Sequence, residues 1–457
     1  MRTDLELKRF ARDSAGSLAR VVGVSAITIG TSIVVARGLG AEGRGLYELA
    51  HLLPVVMATL LNFGLQLATV YYAARSDYDT VTIATTSVTL ALLLSAAGLG
   101  LSALLIVFGG EALFPGVPPG LLWLGLLLLP LMYLGQALLP IFQGRQDFRA
   151  YNLVQLVPGT VALVLIVVFV WVLNGGVAGA LLAVAAGSLA GLLVSLWLLR
   201  PHAGPPLRLF TLRLHREYAR RALVYGLKIQ FNVIVVFLLL RVDVWLLNQV
   251  GSGAAAVGVY GIAVSLAERV WTFGGLAAAV ILPRIASWDG DDDRRSQLTA
   301  LTARHTLWLS VVIAVGILLV GEPFIVLLYG EAFRPAAWAL LLLMPGVILY
   351  NMASVTGSDI AGRGRPWLTA VHAMIAFAIN IAANLLLIPR YDSAGAAFAS
   401  TIAYAYLGVA TMWVFRRVSG ARWRDLLMLN REDLRRLGRG ARAVLRRLGR
   451  GARAAEG

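Results

Sequence analysis

Among the ionisable residues inside long apolar runs of the sequence, seven are candidates for chemistry: Arg20, Lys228, Arg241, Asp243, Glu268, Arg269 and Asp359. A charge in such a place is costly unless it faces a cavity or a partner of opposite sign. Cations predominate, and guanidinium suits phosphate because its planar fork presents paired donors to two oxygens. The chemistry they could perform is anion coordination. Lys228 and Arg241 lie 13 residues apart, about 20 Å along a helix, so they could meet an anion at successive depths. Arg241 and Asp243 point about 200° from one another, so Asp243 is expected to find a cation or a backbone donor on another helix. Glu268 and Arg269 point about 100° apart, which lets one face a cavity while the other reaches a neighbouring helix. An inter-helix ion pair is the competing reading for those two. Arg20 stands near the end of its run and could snorkel to the interface.

Uncharged polar residues extend the same candidate surface: Asn62, Gln66, Gln136, Gln155, Gln230, Asn232, Asn380 and Asn384. Asn380 and Asn384 are four apart and share a helix face. Each could hydrogen-bond ligand hydroxyls, although helix–helix packing is the favoured reading for any single one. Enzymatic signatures are missing: no H-E-x-x-H, Walker A or nucleophile-elbow pattern occurs. With 0 Cys and scattered histidines, no metal or cofactor is expected. The segment Asp289–Asp293, DGDDD, has the carboxylate spacing of a metal-dependent glycosyltransferase. A solvated acidic loop explains it better, since no soluble domain accompanies it.

The elements that must position these residues are membrane spans. Hydrophobic residues make up 59% and charged residues 14% of the 457, and mean hydropathy is +0.77, far from a soluble composition. Twelve apolar runs are each long enough to cross about 30 Å of hydrocarbon: 17–37, 47–73, 81–108, 118–143, 152–174, 176–199, 223–249, 254–284, 304–328, 336–361, 367–389 and 394–416. No stretch alternates as an outer-membrane strand would. The fold class is an all-α polytopic membrane protein. The first run follows Lys8, Arg9 and Arg12 but leads straight into a second, so it reads as an uncleaved helix.

Of the 40 Lys and Arg, 32 fall on the side of the N-terminus, whereas Arg37, Arg44, Arg334 and Arg390 fall in the opposite loops. The positive-inside rule then places both termini in the cytoplasm, in a plasma (inner) membrane. The net charge of +16 reflects topology and a basic tail, so no nucleic-acid partner is implied. That tail repeats RRLGRGARA at Arg435–Ala443 and Arg446–Ala454. It is expected either to attract anionic headgroups or to act as a solubilising extension.

The chain is also duplicated. GLGAEGRGLYELA (Gly38–Ala50) and GSGAAAVGVYGIA (Gly251–Ala263) share Gly38/Gly251, Gly40/Gly253, Gly45/Gly258, Tyr47/Tyr260 and Ala50/Ala263 at a constant offset of 213. GGEALFP (Gly109–Pro115) matches YGEAFRP (Tyr329–Pro335), WLGLLLLP (Trp123–Pro130) matches WALLLLMP (Trp338–Pro345), and FQGRQ (Phe142–Gln146) matches IAGRG (Ile360–Gly364). The order is kept throughout, so the chain divides into lobes at 1–199 and 223–417, a basic linker at 200–222 and the tail at 418–457. Six spans per lobe is an even number, which gives a parallel repeat lining a central cavity, the architecture of a transporter. The repeated glycines and tyrosines are expected to build structural hairpins, with Tyr47 and Tyr260 at headgroup level.

LLLRVDVWLLNQVGSGAAAVGVYGIAVSLAERV (Leu238–Val270), with its first-half counterpart, YGEAF and the GR turns, resembles the polysaccharide flippase family. The similarity extends over roughly residues 8 to 417. It is to Wzx-type oligosaccharide-lipid flippases of the multidrug/oligosaccharidyl-lipid/polysaccharide (MOP) superfamily. The resemblance implies two six-helix lobes in a V shape that move a lipid-linked (undecaprenyl-pyrophosphate type) oligosaccharide to the outer leaflet. It further implies a monomer that uses no cofactor and works beside polymerase and chain-length machinery. Related alternatives are a lipid II flippase, which commonly has fourteen helices, and a multidrug/cation antiporter, which often carries acidic residues deep in its first lobe. Here that lobe has only Glu48 and His51, near the outer end of the second span.

Overall fold

The computed structural model describes residues 2–203, 205, 209–287 and 292–429, with side chains described except at 2–19 and 273–287. Both copies of the tail repeat and Asp289–Asp291 lie outside the described residues. Among the described residues fourteen α-helices follow one another: α1 (Arg2–Leu60), α2 (Leu65–Arg75), α3 (Thr80–Leu113), α4 (Pro119–Gly125), α5 (Leu128–Gly144), α6 (Phe148–Ile166), α7 (Gly176–Ala203), α8 (Arg216–Leu239), α9 (Val242–Val250), α10 (Ala254–Ser287), α11 (Asp292–Tyr329), α12 (Pro335–Gly362), α13 (Pro366–Ser419) and α14 (Trp423–Leu427). No strand occurs among the described residues.

Among the described residues, ten helical stretches are long and apolar enough to cross a membrane. Two of them are double. The first, Arg20–Leu60, is interrupted at Gly40 (φ 68, ψ −173), and Pro366–Ser419 is interrupted at Asp392 (φ 51, ψ −128). Divided at those kinks, the ten become the twelve expected runs.

The repeat is visible in the backbone. Gly40 and its counterpart Gly253 both adopt left-handed φ values, 68° and 74°, where a side chain is disfavoured. Gln146 and its counterpart Gly364 do so as well, at 59° and 75°. Start signals follow ordinary capping chemistry: Asp79 accepts from the Thr82 amide at 3.2 Å and Asp147 from the Ala150 amide at 3.1 Å. Hydrogen bonding from the start of α3 holds the Asp79 carboxyl below its ordinary range.

Two compact units are present. The first comprises Met1–Arg269, Ile317–Met344 and Ala373–Ala403, and so draws residues from both expected lobes. Within it, the corner Gly38–Ala50 packs on the corner Gly251–Ala263 through reciprocal backbone contacts. A Cβ on Gly45 would stand 1.6 Å from the Ala254 carbonyl oxygen, and one on Gly258 would stand 1.9 Å from that of Ala41. Ala41 and Ala254 are themselves equivalent in the repeat, so the contact is two-fold symmetric. Arg37 donates to the carbonyls of Leu328 and Leu327 at 2.7 and 2.5 Å. Trp245 and Gln249 of α9 reach the Leu113 carbonyl at 2.8 and 2.6 Å.

The second unit comprises Val270–Gly316, Pro345–His372 and Tyr404–Gly457. Its core gathers Met352, Val355, Ile360, Phe415 and Leu426. Asp359, wholly buried, accepts from Arg363 and, at 2.8 Å, from the Thr299 hydroxyl. Arg363 also reaches Asp292 at 3.3 Å. That engages a carboxylate of the acidic segment in an ion pair.

Candidate functional site

A cavity of about 260 Å³ lies within the first unit, beside the glycine crossing. Its walls come from α1, the start of α9 and α10. Thr28, Thr31, Ser32, Val35, Arg44, Tyr47, Glu48, His51, Leu52 and Val55 face Arg241, Val244, Val257, Gly261, Val264, Ser265, Glu268 and Arg269.

At the offset of 213, seven pairs of equivalent positions line this cavity together: Thr28/Arg241, Thr31/Val244, Arg44/Val257, Glu48/Gly261, His51/Val264, Leu52/Ser265 and Val55/Glu268. The cavity therefore lies where the two copies meet about their common axis. Its charge does not follow that symmetry, because wherever one copy supplies an ionisable group the other supplies a neutral residue.

Two local features bring Arg241 to the wall. The span that carries it breaks between α8 and α9, where Arg241 has φ −131° and ψ −17°. Such interruptions are tolerated at membrane depth where they line a cavity. The guanidinium then donates to Glu268 of α10 at 2.6 Å. Arg269 approaches the other carboxylate oxygen at 3.5 Å and donates through Nε to the Ser265 carbonyl at 3.3 Å. On α1, Arg44, Glu48 and His51 recur at helical spacing. Arg44 donates to Glu48 at 3.0 Å and to the Ser32 carbonyl at 3.2 Å, while Tyr47 stacks on His51 with ring centroids 6.0 Å apart. The wall thus presents three guanidinium groups and two carboxylates.

Of the residues singled out from sequence, Arg241, Glu268 and Arg269 are brought together here. The others lie apart from the cavity lining. Arg20 donates to Gln155 at 2.5 Å and stacks over Tyr151. Lys228 is exposed on α8, and Gln66 and Asn232 are half-buried. Asn62 bonds Gln136, and Gln230 donates to the Thr59 carbonyl at 2.6 Å, so these amides join helices as the packing reading has it.

Asp243, Asn380 and Asn384 form a separate buried cluster. Asp243 accepts from the Tyr260 hydroxyl, from the Ser400 hydroxyl at 2.9 Å and from the Val244 amide at 2.9 Å. It meets hydroxyls rather than the cation or backbone donor on another helix expected of it. Asn380 donates to Ser400 at 3.3 Å, and Asn384 donates to Asn380 at 3.0 Å. All three are at most 1% exposed. The two tyrosines of the repeat have different surroundings: Tyr260 is wholly buried and bonded to Asp243, and Tyr47 stacks on His51 in the cavity wall.

Sequence reasoning missed Arg44, Glu48 and His51 as site residues, because Arg44 counted among the outer-loop cations and the other two stood near a span end. Overlaying the two copies would have found them, since their counterparts are the neutral Val257, Gly261 and Val264 on the same helix face.

Comparison with known proteins agrees with the architecture. One curated relative is the probable low-salt glycan biosynthesis flippase Agl15 of Haloferax volcanii, 24% identical over 151 residues. That stretch is 33% of this chain and 32% of the relative, so the match spans about a third of each. Among solved structures, the lipid II flippase MurJ in an inward closed conformation superposes with a TM-score of 0.71 at 12% identity, covering 89% of this chain and 87% of its own. An inward-facing multidrug resistance MATE family transporter of the MOP superfamily gives 0.70 at 17% identity, covering 87% and 94%. At such identities the likeness shows the fold: an all-helical, multi-pass membrane protein with the MOP architecture. A family model described as polysaccharide biosynthesis protein matches residues 12–288, more than half of the sequence. The chain belongs to the polysaccharide biosynthesis protein family.

Proposed function

We propose that this protein is a transporter, not an enzyme, that flips a lipid-linked oligosaccharide of undecaprenyl-pyrophosphate type from the inner to the outer leaflet of the plasma membrane. Two six-helix lobes, 1–199 and 223–417, alternate in opening the cavity to either face, with both termini in the cytoplasm. The observation that carries the reading is the cavity wall with three guanidinium groups against two carboxylates, an excess of positive charge suited to a diphosphate. At about 260 Å³ the cavity is smaller than the roughly 300–1,000 Å³ of drug-sized pockets. It accommodates a phosphate-bearing headgroup, and the glycan requires the lobes to separate. An inside-negative potential favours outward movement of such an anion, by roughly 4–5 kcal/mol for two charges at 100 mV.

A multidrug or cation antiporter of the same superfamily is the competing reading. It fits less well, because both carboxylates of the wall are engaged by arginines. A lipid II flippase remains within the same cargo chemistry and differs in the glycan. The test is reconstitution of the purified protein in liposomes with a labelled lipid-linked oligosaccharide, with and without ion gradients. Wild-type protein moves the label, and Arg241→Ala and Arg269→Ala lose movement while keeping the elution profile of folded protein. Unimpaired translocation by both variants would refute the reading.

A further inference from the structure

Glu268 holds one carboxylate against two guanidinium groups from different elements. Oε1 accepts from Arg241 at 2.6 Å, and Oε2 stands at a looser 3.5 Å from Arg269. A guanidinium offers five donors, so one carboxylate leaves much of the pair's capacity unused. Both arginine side chains are reachable, at 34% and 26% exposure.

The ion pair on α1 is built differently. Arg44 meets Glu48 one helical turn away, its side chain only 4% exposed and also tied to the Ser32 carbonyl. That pair is made within one helix and its guanidinium is shut in, while the Glu48 side chain stays 31% exposed. The position equivalent to Glu268 is Val55, which lines the same cavity without a charge. An apolar residue thus serves as cavity wall at the equivalent place in the first copy.

We infer that Glu268 is a stand-in anion: it occupies the Arg241–Arg269 pair while the cavity is empty and is displaced by a phosphate group of the cargo. This rests on the anionic-cargo reading above and adds to it the residue that sets how tightly the cargo is held. A phosphate offers more oxygens than the carboxylate and can engage both forks. The returning carboxylate competes for the arginines and so promotes release. Charge-assisted pairing of this kind makes Glu268 a brake on affinity and an aid to turnover. It positions the two arginines and has no bond-making role.

The experiment measures binding of farnesyl diphosphate and farnesyl monophosphate to the full-length protein in detergent by titration calorimetry, alongside flipping in liposomes. Glu268→Gln keeps the shape and removes the competing charge. It should bind the diphosphate about ten- to a hundredfold more tightly than wild type and flip more slowly. Glu268→Asp, whose shorter carboxylate retracts from Arg241, should fall between the two and serves if the glutamine variant does not fold. Equal or weaker binding by the folded variant overturns the inference, since loss of a mere strut between helices loosens the site. If wild type binds the diphosphate and the variants bind it no better, the cargo reading stands and only the role of Glu268 falls. If neither wild type nor variant binds either probe, the anionic-cargo reading falls and this inference with it.

Discussion

The corners Gly38–Ala50 and Gly251–Ala263 share a backbone and differ in their charge. Gly40 and Gly253 turn with nearly the same left-handed φ, and Gly45 and Gly258 each admit an alanine carbonyl of the other corner, that of Ala254 and that of Ala41. Beyond the glycines the copies part company. The first continues into the Arg44, Glu48 and His51 face, and the second continues into Val257, Gly261 and Val264 before supplying Glu268 and Arg269 a turn later. Duplication supplied a two-fold scaffold, and divergence at facing positions turned its axis into a polar cavity. At these corners the glycines with a backbone task recur in both copies, while the charged positions of the cavity face do not.

The strongest way to break this comparison is to fill the crossing. Gly45→Leu or Gly258→Leu puts a Cβ within 1.9 Å of a carbonyl oxygen, so the corners must part at a cost of about 1–3 kcal/mol or more. The expected result is a lower unfolding midpoint and faster thiol labelling of a cysteine placed at Ser265, to equal degree in the two variants. A strong effect in one copy alone would contradict the symmetric contact.

Next comes the equivalent pair Thr28 and Arg241. Removing one partner of a partly buried, hydrogen-bonded charge pair costs about 2–5 kcal/mol. Arg241→Ala should therefore lower flipping at least about thirtyfold, and Thr28→Ala should leave it within about twofold. Initial rates in the liposome assay decide this.

The tyrosines sharpen the comparison further. Tyr260→Phe removes a donor from the wholly buried Asp243 and should cost about 1–3 kcal/mol in unfolding free energy. Tyr47→Phe, which keeps the ring stacked on His51, should stay within about 0.5 kcal/mol. The smallest effect belongs to Gly40→Ala and Gly253→Ala. Each carries a side chain at φ near 70° without meeting an atom within 4 Å, for about 1 kcal/mol apiece. Equal penalties would support two backbones with one task.

Much of this was legible in the residues themselves. The apolar runs found the spans, since continuous hydrophobicity at this length has few other uses, and the glycine spacing located the corners and their duplication. The kinks at Gly40 and Asp392 sit where runs were separated. Arg241, Glu268 and Arg269 stood out because charge in an apolar run is rare. The sequence hid which depth-matched residues face one another. Arg44 read as a loop cation because hydropathy reports where a run ends, and its helix begins before that point. Asp243 and Asn384 looked like cavity residues because polarity at depth is the same signal whether a group faces a lumen or a buried hydroxyl. The bond between Tyr260 and Asp243 stayed hidden because the two partners lie on different helices.

The most direct test of the central claim is a structure of the full-length protein in a lipid nanodisc with a lipid-linked diphosphate bound. Phosphate density is expected within hydrogen-bond reach of Arg241 and Arg269, in the space between the two corner copies. Cargo density elsewhere, with the Arg241–Glu268 pair intact, would contradict it.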